Sequence, residues 1–339
     1  MLQSLDHSTC SNYRAGLLHF TQFCNLLALL EEFHMPASSE LISLFSAHHT
    51  GHTSEKILNN WLTGLHFWHI INSAPWHRDD MLCHVHRGFM RLIPPSSKHA
   101  KCPPVTIETL CILHNCLDLA NTFDASVWAL ASVAFWSCCC LGELLIPSQN
   151  VFDPSKHVSR QVLPLSISSL DNGTHHSTFH IPWCKTTLTL GADISVTSHN
   201  HHTCPLLALL NHCTGSLGIP PDAPLFAFRT SSGWSPMTHP WFLNCCNQVW
   251  VSAGFADMPR HAFCIGGATE LLLQGVLPDV VTTQGRWKSQ AFLDYWHQIN
   301  SILPLFISLS ANSTCLLSLN SIMDNFACHT NLCTVPSHS

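Results

Sequence analysis

The C-terminal third of the chain holds residue types that could do chemistry on a phosphate ester. Tyr295, one of only two tyrosines, stands ten residues after Gly285, and His261 precedes both. A tyrosine hydroxyl suits attack on phosphorus, because a phenolate leaves more readily than an alkoxide and the covalent ester can be reversed without a nucleotide cofactor. A positioned imidazole such as that of His261 commonly orients or deprotonates a reacting group. These side chains are therefore the first candidates for a reactive centre.

Three cationic side chains complete the candidate set. Lys185 lies in the run Trp-Cys-Lys-Thr-Thr, and Arg286 and Lys288 flank Trp287 in the run Gly-Arg-Trp-Lys-Ser. A lysine can protonate a departing oxygen, and both residue types can contact phosphate. Each would be an ordinary surface charge if it stood alone, so only the combination is informative.

Together these runs resemble the tyrosine recombinases, the phage-integrase type of DNA breaking and rejoining enzyme. His261-Ala-Phe-Cys264 matches the family's His-x-x-Arg motif, and Cys140-Leu-Gly-Glu143-Leu matches its Arg-x-x-Glu-Leu motif. The resemblance covers roughly residues 10 to 308. The chain most resembles the recombinases carried by fungal mobile elements of the Crypton kind.

The resemblance implies a role for each candidate. Tyr295 would attack the scissile phosphate and form a 3′-phosphotyrosine, and Lys185 would protonate the departing 5′ oxygen. His261 would act beside the phosphate. The remaining hydrogen-bonding position is open between Arg286, which fits by spacing, and Trp287, which fits by residue type. The resemblance implies no metal and no other cofactor.

Two positions depart from the family pattern. Cys140 and Cys264 replace the two arginines that clamp the scissile phosphate. Arginine stays charged and binds phosphate through a planar fork, whereas a neutral thiol offers one weak donor. Since loss of one oxyanion donor costs other enzymes about 10²–10³-fold in rate, we expect strand cleavage to be impaired. A non-catalytic DNA-binding remnant of a mobile element and a Cys/His metal-binding protein stay open as alternatives.

By resemblance the partner is double-stranded DNA, bound by a self-associated multimer, and the compartment is the nucleus. The composition opposes a strong attraction to DNA. The chain has 14 Lys and Arg against 20 Asp and Glu, a net charge of −6, whereas affinity for nucleic acid comes largely from neutralised phosphates. The 26 histidines add positive charge only below about pH 6.5.

Cysteine usage and hydropathy limit the other classes of function. Eighteen cysteines in 339 residues without a signal-peptide start favour an intracellular, reduced protein. Neighbouring Cys and His residues, such as His201-His202-Thr-Cys204, lack the paired spacing of structural zinc sites, so we expect no metal. The apolar run from residue 125 to 142 is barely long enough to span a bilayer and has an acidic residue at each end. We interpret it as a buried helix and expect no membrane association.

The pattern predicts a mainly α fold with a small antiparallel sheet. Apolar residues at three- and four-residue spacing predict four helices before residue 93, and the first is broken at Met35-Pro36. The second and third are capped near residues 38–39 and 53–54, and the fourth runs from Asp79 to about Leu92. By resemblance residues 1–93 form a helical, SAM-like DNA-clamp domain. The proline-rich residues 94–104 predict an extended linker.

Residues 105–308 are interpreted as an integrase-like catalytic domain, and residues 309–339 as an unassigned tail. Helices are predicted over residues 105–119, 123–140, 205–212, 240–251, 261–274, 278–284 and 289–297. Strands are predicted over residues 163–167, 178–183 and 193–196. Asp171-Asn-Gly173 supplies a hairpin turn between the first two strands.

Overall fold

The structure, a computed structural model, describes residues 5, 7–77, 79–97, 103–287, 302 and 304. It divides into two compact units, Met1–Lys101 and Cys102–Ser339, whose boundary lies inside the proline-rich residues 94–104. The described part of that segment contains a short 3-10 turn, Pro95–Ser97, and so is not fully extended. The architecture is mainly α with small antiparallel sheets, which confirms the predicted fold class.

Four α-helices are described in the first unit: α1 (His7–Leu26), α2 (Ser39–His48), α3 (Glu55–Ile71) and α4 (Asp80–Arg91). Side-chain oxygens of Ser38, Ser54 and Asp79 accept backbone N–H groups at the starts of the last three, as the sequence predicts. The prediction that α1 continues to Met35-Pro36 is wrong. It ends earlier, because Ala28 adopts a left-handed conformation with φ of 53° just after it.

Seven α-helices are described in the second unit: α5 (Ile107–Cys116), α6 (Thr122–Trp136), α7 (Leu141–Leu144), α8 (Pro205–Gly215), α9 (His239–Ser252), α10 (Ala262–Leu273) and α11 (Pro278–Gln284). Helix α6 is central, since every residue from Ala125 to Phe135 is buried and α8, α9 and α10 pack against it. This confirms the buried helix. None of the described helices combines the length and apolar character that crossing a bilayer requires.

A three-stranded antiparallel sheet has the order β1 (Ile167–Ser169), β2 (His175–Ile181), β3 (Ala192–Thr197). The predicted turn joins β1 to β2, with Gly173 at φ of 80°. The first strand begins later than predicted, because residues 160–162 form a 3-10 turn and Pro164 cannot donate to a ladder. The hairpin of β4 (Phe228–Thr230) and β5 (Gly233–Ser235) was not predicted, since three-residue strands are too short to show alternation.

Helix α6 ends at Trp136 and does not continue to Cys140 as predicted. Cys138 adopts a left-handed conformation with φ of 48°, and the N–H of Cys139 donates to the carbonyl of Ala134 at 2.9 Å, which closes the helix. The chain is then extended at Cys140, the residue before α7. This turn directs Cys140 toward α10.

Two glycines let α10 pack directly on its neighbours. A Cβ at Gly266 would overlap the carbonyl group of Val105, and a Cβ at Gly267 would overlap that of Phe135. The backbone N–H of Val105 donates to the carbonyl of Ala262 at 3.0 Å on the same side. Close packing of α10 therefore depends on these two small residues.

We expect Gly267→Ala to destabilise the second unit by about 1–3 kcal/mol, because the added methyl group meets backbone that cannot move away cheaply. The measurement is the free energy of unfolding of the full chain in urea. Gly142→Ala is the matched control, since its Cβ would meet nothing within 4 Å. Equal effects of the two substitutions would contradict the packing described for α10.

Candidate active site

Five of the predicted site residues of the second unit come from three separate segments. Cys140 lies in the turn between α6 and α7, His261 and Cys264 lie at the start of α10, and Arg286 and Trp287 follow α11. Helix α10 contacts both α6 and α11, so the packing of α10 brings these segments together.

The thiols of Cys140 and Cys264 lie near each other, close enough for each to shift the pKa of the other. Cys264 is fully buried, and its Sγ lies 3.2 Å from the carbonyl oxygen of His261. The hydrogen bond between the thiols lowers the pKa of Cys140 against the effect of burial, and the same bond together with burial raises the pKa of Cys264. The two positions predicted to have lost clamp arginines therefore lie together, and neither side chain can carry a positive charge.

Arg286 makes a buried ion pair with Glu143. Its Nη2 donates to Glu143 Oε2 at 2.6 Å, and both side chains are only 10% exposed. Oε2 also accepts the backbone N–H of Cys140 at 3.0 Å, so the carboxylate holds the turn that carries this cysteine. Sequence reasoning noted Glu143 in its motif but gave it no role. Its position as an acidic residue at the end of an apolar run was the sequence feature that could have indicated a structural role.

The other donors of Arg286 also face protein groups. Nη1 donates to the carbonyls of Gln284 at 2.6 Å and Ser137 at 3.4 Å, and Nε is buried without a partner among the described residues. Arg286 reaches this position from a left-handed backbone conformation with φ of 58°. Burial opposes its charge, but Cys139 and Glu143 outweigh that effect and raise the pKa of Arg286. It is a charged residue whose Nη groups are occupied within the protein.

Lys185 lies in the turn between β2 and β3 and is exposed. The turn is fixed by Cys184, whose backbone N–H and carbonyl pair with Leu188 and whose thiol contacts the hydroxyl of Thr187 at 2.7 Å. Lys185 is close enough for its charge to favour the thiolate form of Cys140. The turn therefore presents a cation to the same region as the two thiols.

His261 and Trp287 have different surroundings. His261 is exposed and precedes α10, where its carbonyl accepts the N–H of Ile265 at 3.1 Å. Trp287 packs against a small apolar cluster that includes Leu272 and Val281. Of the two candidates for the position after Gly285, Arg286 is the one that contacts the Cys140 turn through Glu143.

Tyr295 and Lys288 lie outside the described residues, as does the predicted helix over residues 289–297. Their predicted roles in nucleophilic attack and phosphate contact stay predictions. Tyr13, the other tyrosine of the chain, belongs to the first unit, where its ring lies 5.6 Å from that of Phe67.

The described residues around the two thiols supply little of the positive charge that an anion site needs. The charges that act there are those of Lys185, Arg286 and Glu143, and the carboxylate pairs with the guanidinium. Burial raises the pKa of Cys139 to about 12, so that thiol is neutral. Among the described residues that act on the thiols, Lys185 is therefore the cation that no carboxylate pairs with.

No protein-family model matches the sequence, and no curated protein matches it. Solved structures do. The chain is similar to the XerH site-specific recombinase bound to palindromic difH substrate in a post-cleavage complex, with 15% identity and a TM-score of 0.53, covering 88% of this chain and 78% of that one. It is also similar to the Tn1549 transposon integrase in complex with transposon right-end DNA, with 12% identity and a TM-score of 0.51, covering 91% and 95%.

The same integrase in complex with circular intermediate DNA gives a TM-score of 0.50 at 12% identity, covering 90% of this chain and 94% of that one. At such identities the likeness concerns the course of the backbone and not the chemistry of individual side chains. The described chain therefore has the fold of the tyrosine recombinases and integrases.

Proposed function

We propose that the protein is a DNA-binding member of the tyrosine recombinase type whose strand cleavage is impaired at the phosphate clamp. The observation that carries this proposal is that the packing of α10 on α6 places Cys140 and Cys264 near each other. Residues far apart in the sequence, both at positions where the recombinase motifs have arginine, meet at one point of a recombinase fold. This proximity supports the assignment of both positions to the phosphate clamp, and neither side chain is cationic.

The remaining residues support part of the reaction. Tyr295 supplies the nucleophile, Lys185 protonates the departing oxygen, and His261 acts beside the phosphate. What is missing is the charge that would stabilise the negative oxygens in the transition state. Loss of one such donor costs about 10²–10³-fold, so the loss of two arginines leaves little turnover.

Arg286 does not replace the clamp, because Glu143 neutralises it. The ion pair is short, at 2.6 Å, and mostly buried. A phosphate would have to displace a carboxylate that is also bonded to the N–H of Cys140. This pairing favours the second candidate function, a non-catalytic DNA-binding remnant of a mobile element that acts in the nucleus, over an active enzyme.

The test uses the full-length protein and a pool of nicked duplexes with randomised centres, so that no target sequence has to be assumed. We expect duplex binding that weakens steeply as the salt concentration rises, because binding releases counterions from phosphates. We expect no covalent protein–DNA adduct on denaturing gels. An adduct that requires Tyr295 would overturn the proposed impairment, and the absence of salt-dependent binding would overturn the DNA-binding role.

A further inference from the structure

A group of metal-ligand side chains lies in the second unit. Cys111 of α5 meets His201 and His202, which lie in the turn between β3 and α8. Their ligand atoms all lie within 4.8 Å of one another, and Nε2 of His202 is 3.0 Å from Sγ of Cys111. Among the described residues this is the one such group.

The sequence alone grouped these histidines with the wrong cysteine. Cys204 follows them closely in the chain, but it is buried just before α8 and does not belong to the group. The third member, Cys111, is 90 residues away from His201. The site therefore has no continuous motif, and the paired Cys and His spacing of structural zinc sites could not reveal it.

The turn that carries the histidines is anchored in the core. Thr203 is fully buried, and the indole N–H of Trp136 donates to its hydroxyl at 3.3 Å. Nδ1 of His201 lies 2.8 Å from the same hydroxyl. Nδ1 also accepts the backbone N–H of Thr203 at 3.3 Å, so the turn fixes the orientation of the imidazole ring.

The ligands are also open to solvent. His201 and His202 are exposed, and Cys111 is half-buried. A cavity of about 350 Å³ reaches His201 and is lined as well by Trp136, His199 and Glu270. Three protein ligands leave a fourth position, which a water molecule can fill. The ring of His114, one helical turn from Cys111, lies 5.3 Å from that of His202 and borders the site.

We propose that Cys111, His201 and His202 bind a zinc ion. One thiolate and two imidazoles are the ligand types that Zn²⁺ takes in tetrahedral sites, and they exclude the hard cations Ca²⁺ and Mg²⁺, which prefer oxygen. Binding releases the thiol proton of Cys111. The ion joins α5 to the turn before α8, so it cross-links two parts of the second unit. This site does not depend on the proposed DNA chemistry, which uses no metal.

The test is a titration of the metal-free full-length protein with Co²⁺, a spectroscopic substitute for zinc. We expect one equivalent to produce tetrahedral visible bands together with a thiolate-to-cobalt charge-transfer band, and Zn²⁺ to displace it. Cys111→Ser is expected to remove the charge-transfer band and to weaken binding beyond the roughly 10–100-fold that loss of an outer-shell partner costs. His202→Gln is expected to weaken binding similarly.

Cys116→Ser is the matched control, because Cys116 is an exposed cysteine at the end of the same helix. It should leave the bands unchanged. Zinc should raise the Tm of the wild type and of Cys116→Ser but not that of Cys111→Ser, with circular dichroism confirming that each variant is folded. A charge-transfer band that survives Cys111→Ser, or a wild type without a stoichiometric band, would overturn the zinc site.

Discussion

Restoring both arginines, in the double substitution Cys140→Arg and Cys264→Arg, is expected to produce a covalent protein–DNA adduct where the wild type gives almost none. Each arginine returns two parallel donors and a permanent positive charge to a position that now holds a thiol. If each donor is worth about 10²–10³-fold, each single revertant should recover part of the rate and the double revertant far more. The measurement is the initial rate of adduct formation on the nicked duplex pool.

The controls separate charge from geometry. Cys140→Lys with Cys264→Lys restores two cations without the planar fork, so we expect a much smaller gain than with arginine. Tyr295→Phe in the double-arginine background should abolish the adduct if Tyr295 is the nucleophile. Because Cys264 is fully buried, urea unfolding of each variant must show a folded second unit. A folded double revertant that binds duplex DNA but forms no adduct would contradict the clamp assignment.

The ion pair between Glu143 and Arg286 is expected to be the most costly single contact to break. Glu143→Gln leaves a buried guanidinium without its carboxylate, and Arg286→Gln leaves a buried carboxylate without its cation. Each side chain is only 10% exposed, so each single variant should lose about 3–5 kcal/mol of the free energy of unfolding. The double variant removes both charges, and we expect it to be more stable than either single variant.

The exposed pair of Lys156 and Asp153, with N and O atoms 3.9 Å apart, is the comparison. Lys156→Gln should change stability by less than about 1 kcal/mol, because water screens that pair. Additive losses in the Glu143 and Arg286 cycle would contradict the direct pairing. The result also bears on function: a strong coupling energy means that Arg286 is held in the protein and is not available to a phosphate.

Local features of the fold were determined by the sequence. Capping depends on a side chain and the backbone two or three residues ahead, so Ser38, Ser54 and Asp79 mark three helix starts correctly. An uncharged apolar run has to be buried all round, which identified α6. The hairpin turn at Gly173 needs a positive φ, which Asn-Gly supplies.

The end of α6 could not be predicted from the local sequence pattern. The run of three cysteines after Trp136 is as apolar as the helix before it, so hydrophobic pattern alone extended the helix to Cys140. Contacts with α10 and the carboxylate of Glu143 favour a turn there instead. That turn decides what Cys140 faces.

Which cysteine meets which partner was decided by tertiary structure alone. The chain has 18 cysteines and 26 histidines, so the number of possible groupings is large and spacing cannot choose among them. The packing of α10 on α6 brings Cys264 to Cys140, and the position of α5 brings Cys111 to His202. The sequence determined which residue type stands at each position, because the covalent chain fixes the order of its residues. Only the folded chain determined their neighbours, because contacts between distant residues depend on how whole helices pack.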